Sequence, residues 1–166
     1  MQIKELVYAD VRQRTRELGC EIPTGLALLP VNFETATSKD DLVHAESAST
    51  IRVLWRQAGI QETKIEPAEQ RFDELHQKSL EWIGPTIFVS ASLLSQDANT
   101  VSIALSVIAN YLTDFFKGIP GIKNTKLDIV TEQEDGEQYR YQCYRYEGPV
   151  DGLLQLERII RASKHD

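Results

Sequence analysis

A chain of 166 residues, 42% hydrophobic and 26% charged, carries enough apolar material for one core and too little for two, so residues 1–166 are read as a single domain. Its net charge of -7 argues against nucleic acid and anionic lipid as partners, because such binding draws on cations that neutralise phosphate. Cys20 and Cys143 match no zinc or redox spacing and allow at most one bridge, and Met1 to Val11 mixes Lys4, Glu5 and Asp10 among its apolar residues as no secretory signal would, so a cytoplasmic protein with reduced thiols is expected.

Ile3, Leu6, Val7, Val11 and Leu18 recur at helical spacing, which predicts an amphipathic helix over residues 1–18 ended by Gly19. Between Pro23 and Pro30, the run Gly25 to Leu29 reads as a buried strand. Ser38 and Asp41 have the spacing of a helix start, and the stripe Ala48, Ile51, Leu54, Trp55 and Ala58 carries a second helix to Ala58, with Gly59 past its end. A linker with Pro67 then leads to a polar helix over about residues 68–82, packed through Phe72, Leu75 and Leu80.

From Trp82 to Thr113 the one charged residue is Asp97, so this stretch is expected to be shielded from water. Thr86 to Leu94 reads as a central strand, and Asp97 or Asn99 as the cap of a long helix whose apolar face is Val101, Leu105, Ile108, Leu112 and Phe115. Gly118, Pro120 and Gly121 stop that helix. A membrane span is rejected, because Gly84-Pro85 and residues 96–99 break the run and Asn110 and Asp114 would be placed in lipid. Residues 126–131 and 138–146 alternate with period two around Asp135-Gly136, a hairpin; Gly148-Pro149 opens a last helix through Val150, Leu153 and Ile160, before the polar tail 163–166.

The expected fold is therefore α/β, ordered helix, strand, helix, helix, strand, helix, strand, strand, helix. A mixed four-stranded sheet is predicted, its first two strands parallel through a helical crossover and its last two an antiparallel C-terminal hairpin.

No nucleophile motif, phosphate-binding glycine loop or metal-ligand cluster is present in the sequence, so no catalytic residue, metal or cofactor is assigned. Within residues 44–50, His44, Glu46 and three hydroxyl side chains fall within two helical turns; this pattern suits an acid-base pair or an anion at a helix start, and equally a capped helix with small packing residues. Ser90, Ser92, Asp97 and Asn99 cluster at a strand-to-helix junction, where open α/β sheets place ligands, and form the candidate ligand site for a nucleotide or metabolite. Tyr139, Arg140, Tyr141, Tyr144 and Arg145 interleave aromatic and cationic groups as protein interfaces do, whereas Glu132, Glu134, Asp135 and Glu137 on the same hairpin oppose nucleic acid. Plain cross-strand packing would produce the same tyrosine pattern; an open hairpin edge would admit a partner strand or a second copy.

Residues 104–160, with the apolar helix Ala104 to Leu112, the hairpin around Glu134 to Gly136 and the closing Gly152 to Leu156 helix, resemble small effector-associated α/β components of bacterial conflict systems. The resemblance covers the last third of the chain, and residues 1–83 have no counterpart in it. It implies a non-catalytic adaptor beside separate effector proteins, as a subunit of a bacterial defence-type assembly, and carries over no catalytic residue. Two function classes follow: a non-enzymatic adaptor acting through a protein partner or self-association as an oligomer, and a small-molecule sensor or minor enzyme at Ser90 to Asn99.

Overall fold

The computed structural model describes residues 2–76, 81–118 and 124–163. In chain order the first half contains β1 (Gln2–Val7), α1 (Val11–Leu18), β2 (Leu26–Leu29), β3 (Val43–Ala45), α2 (Ala48–Gln57) and β4 (Asp73–Leu75). The second half contains β5 (Trp82–Val89), α3 (Ala91–Gln96), α4 (Ala98–Phe115), β6 (Thr125–Asp135), β7 (Gln138–Gly148) and α5 (Leu153–Ser163). The architecture is mixed α/β, with a five-stranded sheet in the order β1-β7-β6-β5-β2 and a separate parallel pair, β3-β4.

Both faces of the sheet are covered, which explains why its inner strands are apolar without alternation. On one face Leu26, Leu28, Ile87, Val89, Leu127, Ile129, Tyr144 and Tyr146 meet Trp55 of α2, Leu105 and Ile108 of α4, and Leu156 and Ile160 of α5. On the other, Ala27, Leu29, Phe88, Val130, Tyr141 and Cys143 meet Val11 and Leu18 of α1 together with Phe33, Leu42, Ile65 and Phe72. The nearly uncharged stretch is interior only in part: β5 is buried over residues 85–89 and α4 buries Val101, Ala104, Leu105, Ile108 and Leu112. Ser92, Ser95, Gln96, Asp97 and Asn99 around α3 are exposed, as are Ile103 and Phe115, the latter expected on the buried face of the long helix. No described helix is long and apolar enough to cross a membrane.

The hairpin β6-β7 is in register from Thr125↔Gly148 to Asp135↔Gln138. Its two-residue turn is Gly136-Glu137, one position later than the sequence suggests, with Gly136 at φ 66 and Glu137 at a negative φ. That is the glycine-first turn whose twist suits a hairpin.

Several sequence expectations change. Residues 2–7 form a strand, not the start of a helix: Asp10 caps α1 by accepting from the Gln13 amide, and β1 pairs antiparallel with β7. Ile3, Leu6 and Val7 keep the helical spacing i, i+3, i+4 and only Ile3 and Val7 share a strand face, so pairing with the open side of β7 overrode the local pattern. Residues 38–41 make only a short 3-10 turn, and Val43–Ala45 pairs with Asp73–Leu75, so α2 begins at Ala48 and Ala58 is exposed. The polar helix over 68–82 is absent from its described part: Glu69 has φ 69, Asp73–Leu75 is a strand, and Leu80 lies outside the described residues.

β5 runs over Trp82–Val89 instead of 86–94, with a register shift between Ile83 and Thr86 that accommodates Pro85, which has no amide to donate. β2 and β5 pair antiparallel, and the parallel crossover instead joins β5 to β6 through α3 and α4. The main sheet accordingly has five strands where four were expected. Pro120, Gly121 and the tail 164–166 lie outside the described residues.

Candidate functional site

At the β5-α3 junction, Ser90 is buried and caps α3 by accepting from the Leu93 amide, while its hydroxyl lies 3.1 Å from that of Ser92. Ser92 also donates to the Thr24 carbonyl. Asp97 accepts from the Thr100 hydroxyl, and Asn99 accepts from Arg161. Ser90 and Ser92 thus share a contact at the start of α3, while Asp97 and Asn99, beyond its end, bond to separate partners.

Beneath this junction lies Glu132, a buried carboxylate on β6. It accepts from Arg12 Nε at 2.9 Å, from the Tyr141 hydroxyl at 2.7 Å and from the Ala91 amide at 3.1 Å. Burial first, and then the Glu132 carboxylate, push the Tyr141 phenol above its ordinary range. These contacts tie α1, α3 and the hairpin together.

The five interface candidates divide by parity along β7. Tyr139, Tyr141 and Arg145 face the α1 side; Arg140 and Tyr144 face the other. Tyr141 and Tyr144 are each 4% exposed and belong to the two opposite cores. Tyr139 is half-buried with the Arg12 guanidinium 4.0 Å from its ring centroid, Arg145 pairs with Asp128 at 3.0 Å, and exposed Arg140 donates to Gln133. Both hairpin edges are occupied, β6 by β5 and β7 by β1. The edge strands of the main sheet are therefore β1 and β2.

The most concentrated polar site in the first half surrounds His44, which is 2% exposed. Its Nε2 lies 3.2 Å from Glu66 Oε1, and its ring packs 5.5 Å from that of Phe72. Arg52, on the first half of α2, donates from Nε to Glu62 at 2.8 Å and from Nη2 to Glu66 at 3.0 Å. Burial alone would raise the Glu66 carboxyl, but hydrogen bonds from His44 and Arg52 outweigh it and hold the group down at about 2. Burial likewise works against the Arg52 charge, and Glu66 and Glu62 more than compensate.

Beside this network opens a cavity of about 460 Å³, lined from α2 by Ser49, Arg52, Val53 and Arg56 and from residues 64–74 by Lys64, Glu66 and Phe72 among others. Sequence reading weighed His44 with Glu46, but Glu46 is exposed and faces His76 at 3.9 Å. The actual partner, Glu66, is 22 residues from His44 in a segment that looks like linker, and no local pattern announces the pair. Among the described residues no group of three or more His, Cys, Asp or Glu side chains is placed to hold a metal ion.

No family model matches the chain, and neither curated proteins nor solved structures yield a match.

Proposed function

We propose that the chain is a non-enzymatic interaction protein and that its partner adds a strand to the open edge of β1. The observation that carries this reading is the state of that edge. β1 is exposed at five of its six residues, Val7 is 87% exposed, and no other strand pairs with its outer side among the described residues. Tyr8 donates its amide to the Tyr141 carbonyl, so alternation along an antiparallel pair turns the amides of Ile3, Glu5 and Val7 outward. At the opposite end of the sheet, β2 has its edge partly covered, since Thr63 donates backbone and hydroxyl groups to the Leu26 carbonyl.

Two copies are a poor match for each other along this edge. In the two antiparallel registers of greatest overlap, a symmetric pair brings Glu5 opposite the second copy's Glu5, or Lys4 opposite the second copy's Lys4. Charged edges of this kind oppose self-pairing. A different protein suits it better, with an extended segment that carries a cation opposite Glu5 and apolar side chains opposite Leu6 and Val7; a net charge of -7 favours a basic partner. The resemblance of residues 104–160 to effector-associated components supports an effector of a bacterial defence-type assembly as that partner.

The test is selection of displayed peptides against the purified chain, followed by amide chemical-shift mapping. Peptides with a Lys or Arg followed or preceded by two adjacent apolar residues should be enriched, should shift the amides of Ile3, Glu5 and Val7, and should lose binding to Glu5→Pro, which removes one outward donor without touching the β7 ladder. Equal binding by Glu5→Pro, or a stable dimer in light scattering that Glu5→Pro abolishes, would refute the proposal.

A further inference from the structure

The cavity beside His44 is independent of the β1 edge, and its donors are arranged for an anion. Arg52 is held in place by Glu62 through Nε and by Glu66 through Nη2, so its guanidinium is oriented before any ligand arrives. Among the described residues nothing accepts from its Nη1, which leaves two N–H donors in a fixed plane. Ser49, Arg52, Val53 and Arg56 are spaced so that all four share one face of α2, and all four line the cavity.

The start of α2 adds to this. Ser47 makes no capping bond to the helix and donates instead to the Ile83 carbonyl, so among the described residues the first-turn amides have no side-chain acceptor. Ser49, in that turn, has a hydroxyl for which no partner is described. A second, independent sign of a ligand is His44: it lines the cavity, its side chain is 3% exposed, and its Nδ1 is buried with no hydrogen-bond partner. With Nε2 donating to Glu66, the neutral ring offers Nδ1 as an acceptor for a hydroxyl or amino group of the ligand's body, not for its oxyanion. On the rim, Arg56, Lys64 and Arg71 make no described ion pair, against two carboxylates, Glu69 and Glu74, in the same position. For a chain of net charge -7 this is a local excess of uncommitted cations.

We propose that this cavity binds a phosphomonoester, whose oxyanion is taken by Arg52 Nη1, Arg56, Lys64 and the first turn of α2, and whose body rests on Phe72 and Val53. A volume of about 460 Å³ fits a molecule of nucleoside-monophosphate size. The dianionic phosphate has the acceptor count that this donor set calls for, with Arg52 giving a charge-assisted bond from Nη1.

The test is calorimetric titration of the full chain with AMP, inorganic phosphate, adenosine and succinate, with AMP binding followed in parallel by the His44 ring resonances. AMP should bind saturably and shift those resonances, inorganic phosphate should compete, and adenosine should not bind. Arg56→Ala/Lys64→Ala removes two exposed, unpaired cations, so the fold should persist while AMP binding weakens about tenfold. No saturation at millimolar AMP, equal affinity for adenosine, tighter binding of succinate than of AMP, or unchanged affinity in the double variant would each overturn the assignment.

Discussion

Tyr141 and Arg145 lie four residues apart on β7 and look alike as contact residues in the sequence, yet the structure predicts opposite consequences for replacing them. Tyr141 is 4% exposed, packs 6.4 Å from the Phe88 ring, and donates to Glu132 Oε2 at 2.7 Å. Tyr141→Phe keeps the ring and loses one hydrogen bond to a charged acceptor, a loss of about 1.5–3 kcal/mol. Tyr141→Ala also empties the ring's space, which by comparison with other buried aromatics brings the loss to about 5 kcal/mol or more. Since a domain of this size is stabilised by about 5–15 kcal/mol in total, the alanine variant should be close to unfolding. Arg145→Ala removes a half-exposed pair with Asp128 and should cost about 0–1 kcal/mol. Urea unfolding followed by the fluorescence of Trp55 and Trp82, both buried, measures all three. A midpoint for Tyr141→Ala equal to that of the unmodified chain, or equal losses for Tyr141→Phe and Tyr141→Ala, would refute the reasoning.

Acid should reveal the Glu66 network. Its folded carboxyl is held at about 2, below the roughly 4.3 of an unfolded chain, so its stabilisation is present above about pH 4.3 and is lost as pH falls towards 2. The difference amounts to about 3 kcal/mol, and Glu66→Gln should flatten the urea-midpoint profile between about pH 4.5 and 2.5; an identical slope would remove the argument. The thiols should differ as well: Cys143 is buried and its thiol is pushed up to about 12 by burial, whereas Cys20 is only half-buried. Mass spectrometry after brief alkylation of the folded chain should find Cys20 modified and Cys143 protected until denaturant is added. At Gly84 an added Cβ would lie 2.7 Å from Leu127 Cδ1 and 2.7 Å from the Trp82 ring, so Gly84→Ala should lower stability by about 1–3 kcal/mol, and a neutral effect in calorimetry would contradict that crowding.

Local pattern was informative where one signal stood alone. The hairpin announces itself by alternation around Asp135-Gly136, and α4 by an apolar face wide enough for burial on several sides; both are present. β1 was misleading because Ile3, Leu6 and Val7 carry the helical spacing i, i+3, i+4 and pairing with β7 overrode it, and β3 and β4 are three residues each, too short for any period to show. The candidate sites show the same limit. Tyr139, Tyr141 and Arg145 share a face by parity, but which tyrosine is covered depends on where α1 crosses the sheet. The His44, Arg52, Glu62 and Glu66 network joins β3, α2 and the segment before β4, and no interval in the sequence relates them.

By itself the sequence determined the mixed α/β class, the burial of residues 85–89 and of one face of the long helix, and the hairpin, because these rest on short-range periodicity and on the cost of leaving apolar side chains in water. Tertiary structure decided the fifth strand, the antiparallel pairing of β2 with β5, the burial of Tyr141 and Tyr144, and the cavity beside His44. Each of these depends on which backbone edge or side chain meets another far along the chain, and such meetings are selected by the packing of the whole, not by any segment's own preference.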